Sequence, residues 1–268
     1  MKFQTDRRSP GTAQTALRRS VVAWFCTAAI GQWLFLSYVV VVYGSSAWRG
    51  ALSEWNQHLS GAYVPGQTAS NIAAAAHIVL AVLILGGGPL QLIPQIRARA
   101  PRVHRWLGRS YLLAVVSTAL AGMYLLAQRD IGGISLTLSF VLQLLLIVLF
   151  AGLALREVRR RNFAAHRRWA LRLFMVASAV WFMRIIFMNW MMLTGGVGLN
   201  TETGQGPFLD VMAFGQYLPL LLLELYFCAQ RSDRSGPKWA MAAGLALSAL
   251  LTAAGSAAAF AFMWLPHF

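Results

Sequence analysis

The chain has 268 residues, 58% of them hydrophobic and only 12% charged, which leaves too little polar surface to cover a soluble globule. A formal charge of +15 would suit a nucleic-acid partner only if the basic residues shared one solvated face; they fall in loops between apolar runs, and nucleic acid is excluded. Two cysteines, Cys26 and Cys228, each near the inner end of an apolar segment, give no disulfide framework and are expected as reduced core thiols.

Apolar runs of about 20 residues, the length that crosses a bilayer as a helix, occur seven times: about 21–43, 71–96, 107–128, 133–155, 168–193, 209–229 and 239–265. The expected fold class is therefore all-α, a polytopic membrane helix bundle of seven transmembrane helices. Residues 1–20 form a basic cytoplasmic tail, and 21–268 form a single transmembrane domain. The first run exceeds the apolar core of a signal peptide, and the GSSA after it is a poor cleavage site, so it reads as an uncleaved anchor. The second is interrupted by GGGP at 86–89 and followed by Pro94, which predicts a kink or wide spot.

Twenty of the 23 Lys and Arg residues lie on alternate loops: Lys2 to Arg19, Arg97 to Arg109, Arg156 to Arg172, and Arg231 to Lys238. The positive-inside rule then places the N-terminus in the cytoplasm and the C-terminus outside. Trp24, Trp106, Trp169 and Trp239 would mark the inner border and Trp48, Trp190 and Trp264 the outer one.

Some polar residues fall inside the spans, where an ionisable group costs several kcal/mol unless paired or hydrated. At 1.5 Å per residue, His77 and Gln216 lie about 9 Å below the outer border and Arg184 about 24 Å from the inner one. Glu224 lies about 21 Å from the outer border, level with Arg172 and not with Arg184. The depths predict an Arg172–Glu224 pair between the fifth and sixth spans. Each of these residues also has a plain structural reading: an outward-snorkelling Arg184, a purely structural ion pair, and a His77 that only bonds a neighbouring helix.

The inner border is denser, with Gln91, His104, Arg105 and Arg109, then His166, Arg167, Arg168, Trp169 and Arg172. His104 and His166 are expected at helix N-termini, where free N–H groups and the dipole attract anions and keep an imidazole neutral, able to ligate a metal or haem iron. Loops that bind anionic lipid headgroups are the alternative. No P-loop, HExxH, GxSxG or Cys-rich cluster is present, so hydrolase and nucleotidase chemistry loses support.

His77, GGGPLQLIPQIRARAPRVHRWLGRSY at 86–111, HRRWALRLF at 166–174, Arg184 and Glu224, in that order, resemble the bacterial membrane-protein family known as domain of unknown function twenty-three-oh-six, over about 70–230. The resemblance marks His77, Gln91, His104, Arg105, Gly108, His166, Trp169, Arg172, Arg184 and Glu224 as family positions and implies no established activity. Histidines at span ends are more loosely similar to cytochrome-b-type haem proteins, in which imidazoles clamp the iron and arginines meet the propionates.

Three readings stay open. A redox protein would hold haem b or a quinone at an inner site of His104, His166, Arg105, Trp169 and Gln91, and would have a membrane electron-transfer partner. A small-solute or proton transporter would use His77 and Arg184 as an outer gate, Arg172 and Glu224 as an inner one, with the GGGP break lining the path. A structural or lipid-binding subunit would carry no chemistry.

Overall fold

A computed structural model describes residues 11–59, 61–129, 133–200 and 206–268. Lys2, Arg7 and Arg8 lie outside them. The helices are α1 (Thr12–Trp48), α2 (Thr68–Leu92), α3 (Pro94–Arg99), α4 (Pro101–Gln128), α5 (Gly133–Arg159), α6 (Phe163–Ala177), α7 (Ala179–Thr194), α8 (Pro207–Gly215), α9 (Leu218–Arg231) and α10 (Ser235–Ala259). Among the described residues, six helical stretches are long and apolar enough to cross a membrane, and α6 with α7, bent by 54°, makes a seventh if taken as one broken span. The chain is thus a polytopic helical membrane protein. Leu113, Ile134, Leu193 and Phe262, each at least 70% exposed, belong against lipid.

Two cores hold the bundle. In one, α1, α7, α10 and the turn Phe260–Trp264 after it pack through Phe35, Trp181, Ile185, Leu245 and Trp264; in the other, α4, α5 and α6 pack through Tyr111, Val115, Phe150 and Leu173. Small residues let the backbones approach, as expected where lipid is as apolar as the packed faces. A Cβ on Gly31 would strike Ser256 and Trp181, and one on Gly255 would strike Asn189 and stand 2.8 Å from the Ile185 carbonyl oxygen.

The structure corrects several expectations. The GGGP stretch does not break the second span: α2 runs through Pro89, Gly87 to Pro89 are buried, and Gly88 lies against Tyr111 and Phe174. Its break comes at Ile93, whose extended backbone (ψ 114°) precedes Pro94, because proline disfavours the helical region in the residue before it. The sharp bend lies instead in the fifth span at Ser178, a residue no sequence signal marked. There Gln32 Nε2 donates to Ser178 Oγ (3.0 Å) and Gln143 Nε2 to the Val176 carbonyl (2.9 Å), so neighbouring helices satisfy polar groups at the break. Cys26 and Cys228 are free, yet exposed rather than in the core. Trp48, Trp106 and Trp239 project outward as border residues do, but Trp24 and Trp264 are core side chains.

Candidate functional site

The connections α2–α4, α5–α6 and α9–α10 bring their arginines to one end of the bundle, here called the basic end. Asn162 starts α6 there: its side chain accepts from the Ala165 N–H and caps the helix. On α6, Arg168, Trp169 and Arg172 succeed one another along one side and, with Asn162, Ala164, Ala165 and Arg231 from the end of α9, line an open cavity of about 460 Å³. Arg172 reaches across to α9, where its Nε and Nη2 donate to the two oxygens of Glu224 at 2.6 and 2.7 Å. The Arg172 guanidinium also lies 4.5 Å from the Trp169 ring centroid and 5.2 Å from that of Phe227. Glu224 neutralises Arg172, and Arg168 and Arg231 are left as the cavity's uncompensated positive charges, since the ion pairs among the described residues are Arg49–Glu54, Arg156–Glu157 and Arg172–Glu224.

His166, the fourth residue of α6, faces elsewhere. Its Nδ1 lies 2.9 Å from the Ala154 carbonyl on α5. A carbonyl can only accept, so Nδ1 carries the proton, and in the neutral ring Nε2 keeps the lone pair. His104, fourth in α4, lies within electrostatic reach of His166, and its Nδ1 is buried with no hydrogen-bond partner. Gln91 Nε2 donates to the His104 carbonyl (3.2 Å), and its Oε1 would stand 3.2 Å from a Cβ at Gly108. That close fit is the local reason for glycine there. Of the five residues expected to share one cofactor, His104, His166 and Gln91 lie toward α2, α4 and α5, Trp169 lines the arginine cavity while its ring also packs 5.7 Å from that of Phe150 on α5, and Arg105 is exposed.

Toward the other end, His77 gives its Nδ1–H to the Thr118 carbonyl of α4 (3.0 Å) and packs on Gly122. Arg184 donates to the Val180 carbonyl (3.1 Å) and lies 4.9 Å from the Phe35 centroid; no carboxylate among the described residues pairs with it. A cavity of about 210 Å³ lies beside it, walled by Met183, Phe187, Met212 and Met263. His77 thus rests on α4, and Arg184 on its own helix and on Phe35 of α1. Gln216, buried, donates to Ser139 Oγ (2.7 Å) and to the Ala213 carbonyl (2.8 Å), while Tyr217 Oη donates to the Ser139 carbonyl (2.6 Å), tying α8 and α9 to α5.

Sequence reading missed Arg231 and Asn162 as cavity residues and Ser139 as the partner of Gln216. Only the depth of Gln216, roughly matched by Ser139 six residues into α5, could have suggested the last.

These features define a class: a polytopic, all-helical membrane protein with polar side chains held between its spans and a basic, aromatic cavity at one end. The chain belongs to the family described as Predicted membrane protein (DUF2306), which matches residues 74–224, more than half of its length. His77, the α6 motif, Arg184 and Glu224 all fall within the match. No curated protein and no solved structure matches the chain.

Proposed function

We propose that the protein binds an anionic amphiphile at the basic end, with a phosphate or carboxylate headgroup in the cavity of Arg168, Trp169, Arg172 and Arg231. One observation carries this reading: two guanidinium groups without a carboxylate partner among the described residues border an open 460 Å³ cavity at the end of the bundle where the basic connections gather. Guanidinium forks match phosphate and carboxylate oxygens bidentately, and the Trp169 ring offers a flat apolar wall beside them. Glu224 holds the Arg172 end of the cavity in place and keeps its net charge from rising further. In the orientation that the basic loops imply, the cavity faces the cytoplasm of a bacterium and the anionic inner leaflet of its membrane.

The test uses purified protein in nanodiscs containing a known fraction of phosphatidylglycerol, with retained lipids counted by native mass spectrometry. Wild type should keep one or more anionic lipids, and Arg168→Gln with Arg231→Gln should lose them at least tenfold more readily. Equal retention by wild type and double variant would overturn the proposal.

A second reading is favoured by the histidines. A ligating imidazole characteristically donates its other N–H to a carbonyl or carboxylate, as His166 does to Ala154. His166 and His104 would be the residues to hold a haem b iron or to bond a quinone, and such a group would supply one-electron transfer toward a membrane partner. The donor set fits the iron; the arginines do not fit as propionate clamps, because their cavity faces α9 while His166 faces α5. Protein from a haem-replete host should show a Soret band that His166→Ala abolishes. A colourless wild type after haem reconstitution would sink this reading and leave the amphiphile reading intact.

A further inference from the structure

At the end of the bundle opposite the basic end, His58 closes the 3₁₀ turn Leu52–Gln57 between α1 and α2, and His267 lies in the last 3₁₀ turn, Leu265–His267. Their ring centroids are 4.5 Å apart and their planes meet at 82°. Both rest on an aromatic floor: Tyr38 lies 6.0 Å from His58 and 6.3 Å from His267, Tyr43 lies 6.1 Å from His58, and Trp264 stacks on Tyr38 at 6.2 Å. The floor is anchored in turn, because Trp55 Nε1–H donates to the Tyr43 carbonyl at 3.1 Å. Each imidazole is thus placed by packing, while His58 stays half-buried and His267 exposed, so an ion can reach them from water.

Two imidazoles on one divalent ion, with metal–nitrogen bonds of about 2.0–2.1 Å, put their ring centroids about 4.5 Å apart at a right angle and about 5 Å apart at the tetrahedral angle. The observed separation falls at that spacing. We propose that His58 and His267 form a two-imidazole site for Cu²⁺ or Zn²⁺ that staples the α1–α2 connection to the end of α10. Among the described residues no third His, Cys, Asp or Glu completes a ligand set. The nearest carboxylate on the turn, Glu54, is held by Ser46 Oγ (2.9 Å) and Arg49 (2.6 Å). Water therefore fills the remaining positions, and Cu²⁺ binds more tightly than Zn²⁺, as imidazole sites generally rank them.

The full chain, purified without a histidine tag and stripped with chelator, is unfolded by heat with and without each ion. At an ion concentration about 100 times the Kd, the wild-type midpoint should rise by roughly 5 °C, because the ion binds only where the two segments are together. His58→Phe and His267→Phe each keep a ring on the aromatic floor and should abolish the rise. Copper on the wild type should show magnetic coupling to two imidazole nitrogens, and on His267→Phe to one, a readout that holds even if a variant folds poorly. A midpoint indifferent to both ions, a rise that survives in His58→Phe, or a wild-type copper signal with fewer than two imidazoles would each overturn the proposal.

Discussion

Replacing Arg172 and Glu224 singly and together measures what their pair contributes across α6 and α9. Both guanidinium–carboxylate bonds are short, at 2.6 and 2.7 Å, and Arg172 is additionally sandwiched between Trp169 and Phe227. The side chains are not equally enclosed: Arg172 is 16% exposed and Glu224 41%. Stranding one partner of a fully buried pair costs about 3–5 kcal/mol, whereas an exposed pair couples by only about 0.2–1 kcal/mol. With Glu224 more than a third exposed, screening places the coupling between these limits, at about 2 kcal/mol. Arg172→Leu should be the costlier single change, because it also removes the aromatic contacts, worth about 0.5–2 kcal/mol, which Glu224→Gln leaves in place. Those contacts cancel in the double-mutant cycle, so the coupling isolates the ion pair. The assay is reversible unfolding of the detergent-solubilised protein, four variants in parallel. A coupling below about 0.5 kcal/mol would refute the argument that the pair locks α6 to α9, since the cavity would then keep its shape without Glu224.

Gly255→Ala should lower stability by about 1–3 kcal/mol, because its Cβ meets Asn189 and the Ile185 backbone; Gly152→Ala, which meets nothing within 4 Å, serves as the control in the same unfolding assay. A C-terminal alkaline phosphatase fusion should be active and a fluorescent-protein fusion dark, as the alternating basic loops require; the opposite pattern would refute the orientation. Glu54, in the α1–α2 turn, has its carboxyl held below the ordinary value of 4.5 by the Ser46 hydrogen bond first and the Arg49 guanidinium second. Its folded-state pKa is depressed, so its contribution to stability is present above that ordinary value and is lost as pH falls through the folded-state pKa. Arg49→Gln should raise the carboxyl titration midpoint seen by NMR, and an unmoved midpoint would assign the depression to Ser46 alone.

Sequence by itself determined the solvent and the all-helical class, with six or seven candidate crossings. Apolar length is a local property, and in hydrocarbon every backbone polar group must bond within its own segment, so a run of about 20 apolar residues specifies a helix without reference to its neighbours. The basic loops are just as local, and depth counted along a helix was enough to match Arg172 with Glu224. Which face of each helix meets which neighbour was not legible, because a lipid-facing leucine and a packed leucine are equally apolar and no hydrophobic stripe marks the buried side. Tertiary structure alone decided that α6 turns His166 toward α5 and Arg168 and Arg172 toward α9, that Gln216 finds Ser139, and that the fifth span breaks at Ser178, where Gln32 and Gln143 reach it from other helices. It alone also brought His58 to His267, since residues so distant in sequence meet only when α1 and α10 have packed side by side and carried both turns to the same end.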